Sequence, residues 1–158
     1  MDINFIVDFS PSGGGRVYQG GAPDDGIATF QTAGRITMLV EMAAGVDALR
    51  WVRQGTLKSV LYFGIDDTPQ GCLEDGVLIA LARSCRSWLT TGVDHDVIFG
   101  CAAGVSRSSY ANCATLMATM HVGFDEALAT IRNGRPVANP NQGFVDQLRR
   151  MELQLRAL

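Results

Sequence analysis

Val97-Ile98-Phe99-Gly100-Cys101-Ala102-Ala103-Gly104-Val105-Ser106-Arg107-Ser108 is the stretch on which the reading of this chain turns. Its first three residues form a short apolar strand, and further on Tyr110, Cys113, Ala114 and Met117 recur at helical spacing. The segment between them, Gly100 to Ser106, is small and glycine-containing. A strand, a tight loop and a helix in that order form an anion-binding arrangement, because loop N–H groups and the helix dipole converge on one point. Gly104 permits the backbone dihedrals that such a wrap needs. Arg107 carries a planar guanidinium that can take two phosphoryl oxygens at once, which a lysine cannot do. Cys101 falls at the centre of the cradle, where these positive groups favour the nucleophilic thiolate over the thiol.

Outward from this loop, the chain reads as strands alternating with helices. Arg16 to Gln19 is a short strand entering a Gly-Gly turn, and Ala22-Pro23-Asp24-Asp25 reads as a helix start whose helix ends near Gly34. Ile36 to Val40 and Ser59 to Phe63 are apolar, β-branched runs that suit buried strands. Between Ala43 and Thr56, Val46, Leu49, Trp51 and Val52 fit a short helix closed by Gly55. From Leu73, the positions Val77, Leu78, Leu81, Cys85 and Trp88 give an amphipathic helix ending at Thr91-Gly92. Two more helices follow, over Asp125 to Arg132 and from Gln142 with Phe144, Leu148, Met151 and Leu155 on one face. Such alternation predicts an α/β fold, with a central, mostly parallel sheet flanked by helices and the phosphate-binding loop between a strand and a helix. Ligands are then expected beyond the carboxyl ends of the strands, where both Asp66-Asp67 and the Cys101 loop fall.

Composition narrows the function classes. A length of 158 residues predicts one domain over 1–158, and 47% hydrophobic with 18% charged residues is a globular composition. With 13 Lys and Arg against 16 Asp and Glu, the net charge of -3 offers no general attraction for nucleic acid or an anionic membrane. The acidic, Asn-containing opening Met1-Asp2-Ile3-Asn4-Phe5 is unlike a secretory leader and predicts a cytoplasmic protein. The uncharged run Ser108 to Phe124 contains Ser108, Ser109, Asn112 and His121 and reads as a buried helix, not a membrane span. Four cysteines without a CxxC pair and two histidines predict neither a metal site nor a disulfide framework, and no cofactor is implied. Cys72, Cys85 and Cys113 read as core residues.

The loop resembles the signature loop of the cysteine-dependent protein tyrosine phosphatases, and the rest resembles their compact dual-specificity branch. Val17-Tyr18-Gln19-Gly20-Gly21 is similar to the family's opening strand, and Gly34 to Val40 to its glycine-led second strand. Ala111 to Met117, Arg135-Pro136, Pro140 to Phe144 and Gln147-Leu148 are similar to its later helices. The resemblance implies Cys101 as nucleophile, Arg107 as phosphate clamp, and Ala102, Ala103, Gly104, Val105 and Ser106 as the phosphate-binding loop. It implies Asp67 as general acid, with Asp66 as the competing acid, and Ser108 as the hydroxyl that assists hydrolysis of the thiophosphate intermediate. Ser108 as a helix cap, and Ser106 as a loop-shaping hydroxyl, are the alternatives. Asn139, Asn141 and Gln142 read as turn residues.

The implied activity is hydrolysis of phosphotyrosine, and of phosphoserine and phosphothreonine, in a phosphorylated protein or small phosphoester. The uncharged Ala102, Ala103 and Val105 lack the basic residues of inositol-lipid-directed relatives. One position departs from the family pattern: Gly100 stands where a histidine usually precedes the nucleophile. This predicts reduced turnover, and opens an alternative reading as a weakly active or inactive phospho-binding pseudophosphatase. Gly100→His is expected to gain activity, unless the loop is already organised by other means. The sequence leaves the oligomeric state open.

Overall fold

The computed structural model describes residues 2–22, 35–53, 55 and 57–158. Five strands, β1 (Ile3–Asp8), β2 (Arg16–Gly20), β3 (Ile36–Ala43), β4 (Ser59–Ile65) and β5 (His95–Gly100), form one sheet in the order β1-β2-β5-β3-β4. All neighbours are parallel except β1 and β2, which are joined as an antiparallel pair at one edge. The order follows from burial. β3 and β5 carry the most continuous apolar runs and sit inside the sheet. β4, expected to be buried on both faces, lies instead at the opposite edge, and its Tyr62 is exposed. β1 has no clear apolar alternation, which is why sequence periodicity does not reveal it.

The helices are α1 (Leu49–Arg53), α2 (Asp75–Leu89), α3 (Arg107–Met120), α4 (Phe124–Gly134), α5 (Gln142–Arg150) and α6 (Glu152–Arg156). The expected helix over 22–34 lies outside the described residues, apart from Ala22 in a bend. α1 is shorter than its sequence window suggests, and Leu49 points outward. α2 begins at Asp75, so Leu73 precedes it, and Val77 is exposed. The last helical stretch is broken at Met151 into α5 and α6, yet Phe144, Leu148, Met151 and Leu155 are all buried as the spacing predicts.

Strand alternation divides the sheet's two faces. Met38, Val40 and Met42 of β3, with Val97 and Phe99 of β5, join the large core under α2 to α6. Leu39 and Ile98 point the other way, into a smaller cluster with Ala48 and Leu57. α3 is the central helix: every residue from Ser108 to Ala118 is buried, so it shows no strong amphipathic stripe. At 14 residues it is too short for a membrane span, and no helix among the described residues is long and apolar enough to cross a membrane.

One ion pair secures the amino ends of the central strands. Arg35 donates through Nε and Nη2 to the two carboxylate oxygens of buried Asp96, which also accepts the Arg16 N–H at 2.9 Å. Removing the charge strands a largely buried guanidinium. Asp96→Asn is expected to lower stability by about 3 kcal/mol, seen as a lower urea midpoint with an unchanged slope.

Candidate active site

In the loop after β5, the carbonyls of residues 102–106 each accept a hydrogen bond, most of them from distant parts of the chain. Ala102 O accepts from Ala22 N at 3.1 Å, and Ala103 O from Arg135 Nη2 at 3.1 Å. Gly104 O accepts from Arg135 Nε at 2.7 Å and Gln19 Nε2 at 3.2 Å. Val105 O accepts from Ser109 Oγ at 2.6 Å and Asn139 N at 2.8 Å, and Ser106 O from Tyr110 N at 3.0 Å. The amides of residues 102–106 have no protein acceptor among the described residues. Amides freed in this way, at the start of α3, are available to hold an oxyanion. Gly104 sits at φ +67°, and a Cβ there would lie 2.5 Å from the Gly20 carbonyl carbon, so no other residue fits.

Cys101 is 2% exposed at the base of this loop. Its Sγ lies 3.3 Å from Ser108 Oγ, so the hydroxyl can donate to a thiolate. Ser108 therefore faces the sulfur and does not cap the helix, whose N-cap is Ser106. The other thiols are less reactive by environment: burial pushes Cys85 up to about 12 and raises Cys113 and Cys72 as well. Cys85 and Cys113 are core residues as expected, whereas Cys72 is only half-buried, and all four cysteines are free.

Arg107 opens α3 and anchors one end of its guanidinium, Nη1 donating to Ile65 O at 3.1 Å where β4 ends. Its Nε is buried with no hydrogen-bond partner. Asp67, just beyond β4, is brought against the loop: Ser106 Oγ donates to its Oδ1 at 2.6 Å and Asn141 Nδ2 at 2.9 Å. The neighbouring Asp66 is exposed and makes no such contact among the described residues. The structure thus brings Cys101, Arg107, Asp67, Ser106 and Ser108 together, and separates Asp67 from its competitor. Ser106 Oγ also accepts Asn141 N at 3.0 Å, so it links the loop to both Asp67 and the start of α5.

Several supporting residues escape a sequence reading. Gln19 is wholly buried and reaches the loop, and its Oε1 accepts from Asn112 Nδ2 at 2.9 Å. Arg135, 3% exposed, ties the loop to Asn4 and Asp2 of the amino-terminal strand region. Asn141 does more than form a turn: it caps α5 by accepting Phe144 N at 3.2 Å while holding Asp67. Tyr110, stacked on Phe144 at 4.3 Å, donates to Gln147 and accepts Leu73 N at 3.2 Å, which fixes the segment between the acid and α2. The only available signal was polarity at positions otherwise suited to a core.

Gly100 ends β5, opposite Glu41 of β3. A Cβ at Gly100 would lie 3.0 Å from Glu41 Oε2 and 3.4 Å from Leu39 Cδ1. The space for a side chain is taken by the glutamate, which reverses the expectation for Gly100→His. The outside donors already organise the loop, and the imidazole must displace a buried carboxyl. Gly100→His is now expected to lower kcat/KM by about tenfold through misplacement of the adjacent nucleophile, and Glu41→Ala in the same chain to restore part of it. Steady-state kinetics on the two variants check this.

Comparison with known proteins agrees with the geometry. The dual specificity phosphatase catalytic domain matches residues 89–154, from the end of α2 through the loop to α6. The chain is 33% identical over 99 residues to dual specificity protein phosphatase 15 of Rattus norvegicus, covering 60% of this chain and 40% of that protein. It is 48% identical over 52 residues to dual specificity protein phosphatase 22 of Homo sapiens, covering 33% of this chain and 28% of that protein. The matches thus span well under half the length of these curated relatives. Among solved structures, DUSP15 superposes with a TM-score of 0.67 at 25% identity, over 89% of this chain and 88% of that one. A mouse putative dual specificity phosphatase complexed with zinc tungstate shares the fold with a TM-score of 0.69 at 24% identity, over 98% of this chain and 89% of that one. Loop, sheet order and sequence matches together make this chain similar to the compact dual-specificity branch of the cysteine-dependent protein tyrosine phosphatases, with the catalytic-domain match confined to residues 89–154.

Proposed function

We propose that this chain hydrolyses phosphomonoesters of proteins, on tyrosine and on serine and threonine, through a phosphocysteine intermediate. The observation that carries the reading is the loop itself: a buried cysteine followed by residues 102–106, whose amides have no protein acceptor among the described residues and whose carbonyls are each hydrogen-bonded. Cys101 Sγ attacks phosphorus, and the bond to the ester oxygen breaks. The amides and Arg107 hold the equatorial oxygens as charge redistributes. Asp67 gives its proton to the departing alkoxide or phenoxide. Its carboxylate then takes a proton from water, which attacks the phosphocysteine and releases inorganic phosphate and the Cys101 thiolate. Ser108 Oγ, 3.3 Å from the sulfur, steadies that returning thiolate.

Hydrolysis of p-nitrophenyl phosphate and of phosphotyrosine, phosphoserine and phosphothreonine peptides, in the presence of EDTA, tests the reading. Turnover of the phosphotyrosine peptide and at least one of the other two is the expected result. Absence of turnover with sulfate or phosphopeptide still bound would replace it with the phospho-binding reading.

A further inference from the structure

Glu41 is a buried carboxyl for which the catalytic steps above have no use. It lies near the carboxyl end of β3, is 0% exposed, and shares the face of the sheet on which Leu39 and Ile98 point away from the large core. One oxygen, Oε1, accepts Ala43 N at 2.8 Å. The other, Oε2, is buried with no hydrogen-bond partner among the described residues, and is the atom that fills the space beside Gly100. Gly100 immediately precedes Cys101, so the orphan oxygen stands at the floor of the anion cradle. A second orphan, Arg107 Nε, belongs to the same site.

A buried carboxyl with an unpaired oxygen is costly when ionised. Burial accordingly raises Glu41 above its ordinary value, and the Ala43 N–H, the charge of Arg107 and a weaker interaction with the Met42 N–H offset this only in part. Adding a phosphoryl dianion to the cradle brings two more negative charges near a carboxyl that is already poorly solvated. The added repulsion is relieved when Oε2 takes a proton from solvent, which makes the group neutral and turns an unpaired acceptor into an O–H donor. The charged or titratable groups facing it are Arg107, whose charge acts on the carboxyl, Tyr62, its partner across the β3–β4 ladder, and Cys101, which follows Gly100.

We propose that Glu41 is a positioning residue of the anion site: its carboxyl forms the floor beside Gly100 and takes up one proton from solvent when the loop binds a phosphoryl or similar dianion. The inference rests on the reading of the loop as a phosphoryl site. By linkage, dianion affinity falls as pH rises, by up to about tenfold per pH unit between the carboxyl's free and occupied pKa values. Stability without a ligand follows the same sign. The raised carboxyl favours the folded state below its unfolded value, near 4.5, and loses that contribution as pH rises through the folded value.

The test uses sulfate, whose charge is constant above pH 5, and the Cys101→Ser chain, which removes thiol titration. Calorimetric titration in two buffers of different ionisation enthalpy counts the protons taken up. Uptake approaching one proton per sulfate is expected at the pH where affinity is falling, and Glu41→Gln in the same chain is expected to lose that uptake. Its affinity should become nearly independent of pH and tighter than that of the parent at pH 8. Its Tm should also exceed the parent's at pH 8, with the gap closing toward pH 4.5. Uptake that persists in Glu41→Gln, or is absent from the parent, overturns the proposal, and the parent measurement stands even if the variant fails to fold. Glu41→Gln weakening binding equally at every pH assigns Glu41 a packing role only and also overturns it. No sulfate binding to either chain, with no phosphate ester turnover by the native protein, overturns the phosphoryl-site reading itself.

Discussion

Cys101→Ser is expected to lower kcat on p-nitrophenyl phosphate by about 10⁴-fold or more while leaving oxyanion binding within a few-fold of native. The two outcomes separate because different groups produce them. Binding belongs to the amides of residues 102–106 and to Arg107, which the substitution does not touch, and the outside donors on Gln19, Arg135, Ser109 and Asn139 still hold the loop's shape. Turnover requires an atom that attacks phosphorus, and a serine hydroxyl at neutral pH is far less ionised than a thiol in an electropositive loop. The experiment is single-turnover kinetics beside sulfate titration. Native-like turnover in Cys101→Ser would exclude the phosphocysteine route.

Asp67→Asn is expected to lower kcat by about 10²–10³-fold, with the loss growing as the leaving group becomes more basic. An amide keeps an oxygen for the Ser106 and Asn141 hydrogen bonds, so the local geometry should survive. What disappears is the proton for the departing oxygen. A phosphoserine peptide, whose alkoxide is a poorer leaving group than p-nitrophenolate, should therefore suffer most. The alkaline limb of the native pH–rate profile should flatten in the variant. Asp66→Asn is the matched control: exposed and away from the loop, it should change kcat by less than about twofold. If the two substitutions exchanged effects, the assignment of the acid would be reversed.

The parts of the fold legible in the sequence are those with a strong local apolar signal. Ile36 to Val40 and Val97 to Phe99, continuous apolar runs, become the inner strands β3 and β5, and the helically spaced Leu78-Leu81-Cys85 stripe becomes the buried face of α2. β1 is not legible, since its Ile3–Asp8 run shows no clear apolar alternation and is held by pairing with β2. The catalytic candidates were legible because Cys101, Gly104 and Arg107 sit in one short loop. Its scaffold was not, because Gln19 and Arg135 reach the loop from distant parts of the chain and nothing local marks them. Glu41 is the clearest instance. In sequence it is a charge after an apolar run, suggestive of a strand leaving the core; in three dimensions it is fully buried. The expectation at position 100 changes for the same reason, since the space beside Gly100 is taken by a residue of the adjacent strand.

The hydrogen bonds joining Asp67 to Ser106 and Asn141 have a consequence for how such a site chooses among substrates. A proton donor carried on a swinging flap can be withheld until the right ligand pulls the flap shut, and discrimination then resides in that closure. Here the donor is docked on the cradle before anything arrives. No part of a substrate's binding energy is needed to recruit it, so a minimal phosphoester meets the same assembled machinery as a long phosphopeptide. In the proposed reaction, preference then comes from the fit and charge of whatever surrounds the phosphoryl group at the mouth, so that selectivity lies in admission instead of activation.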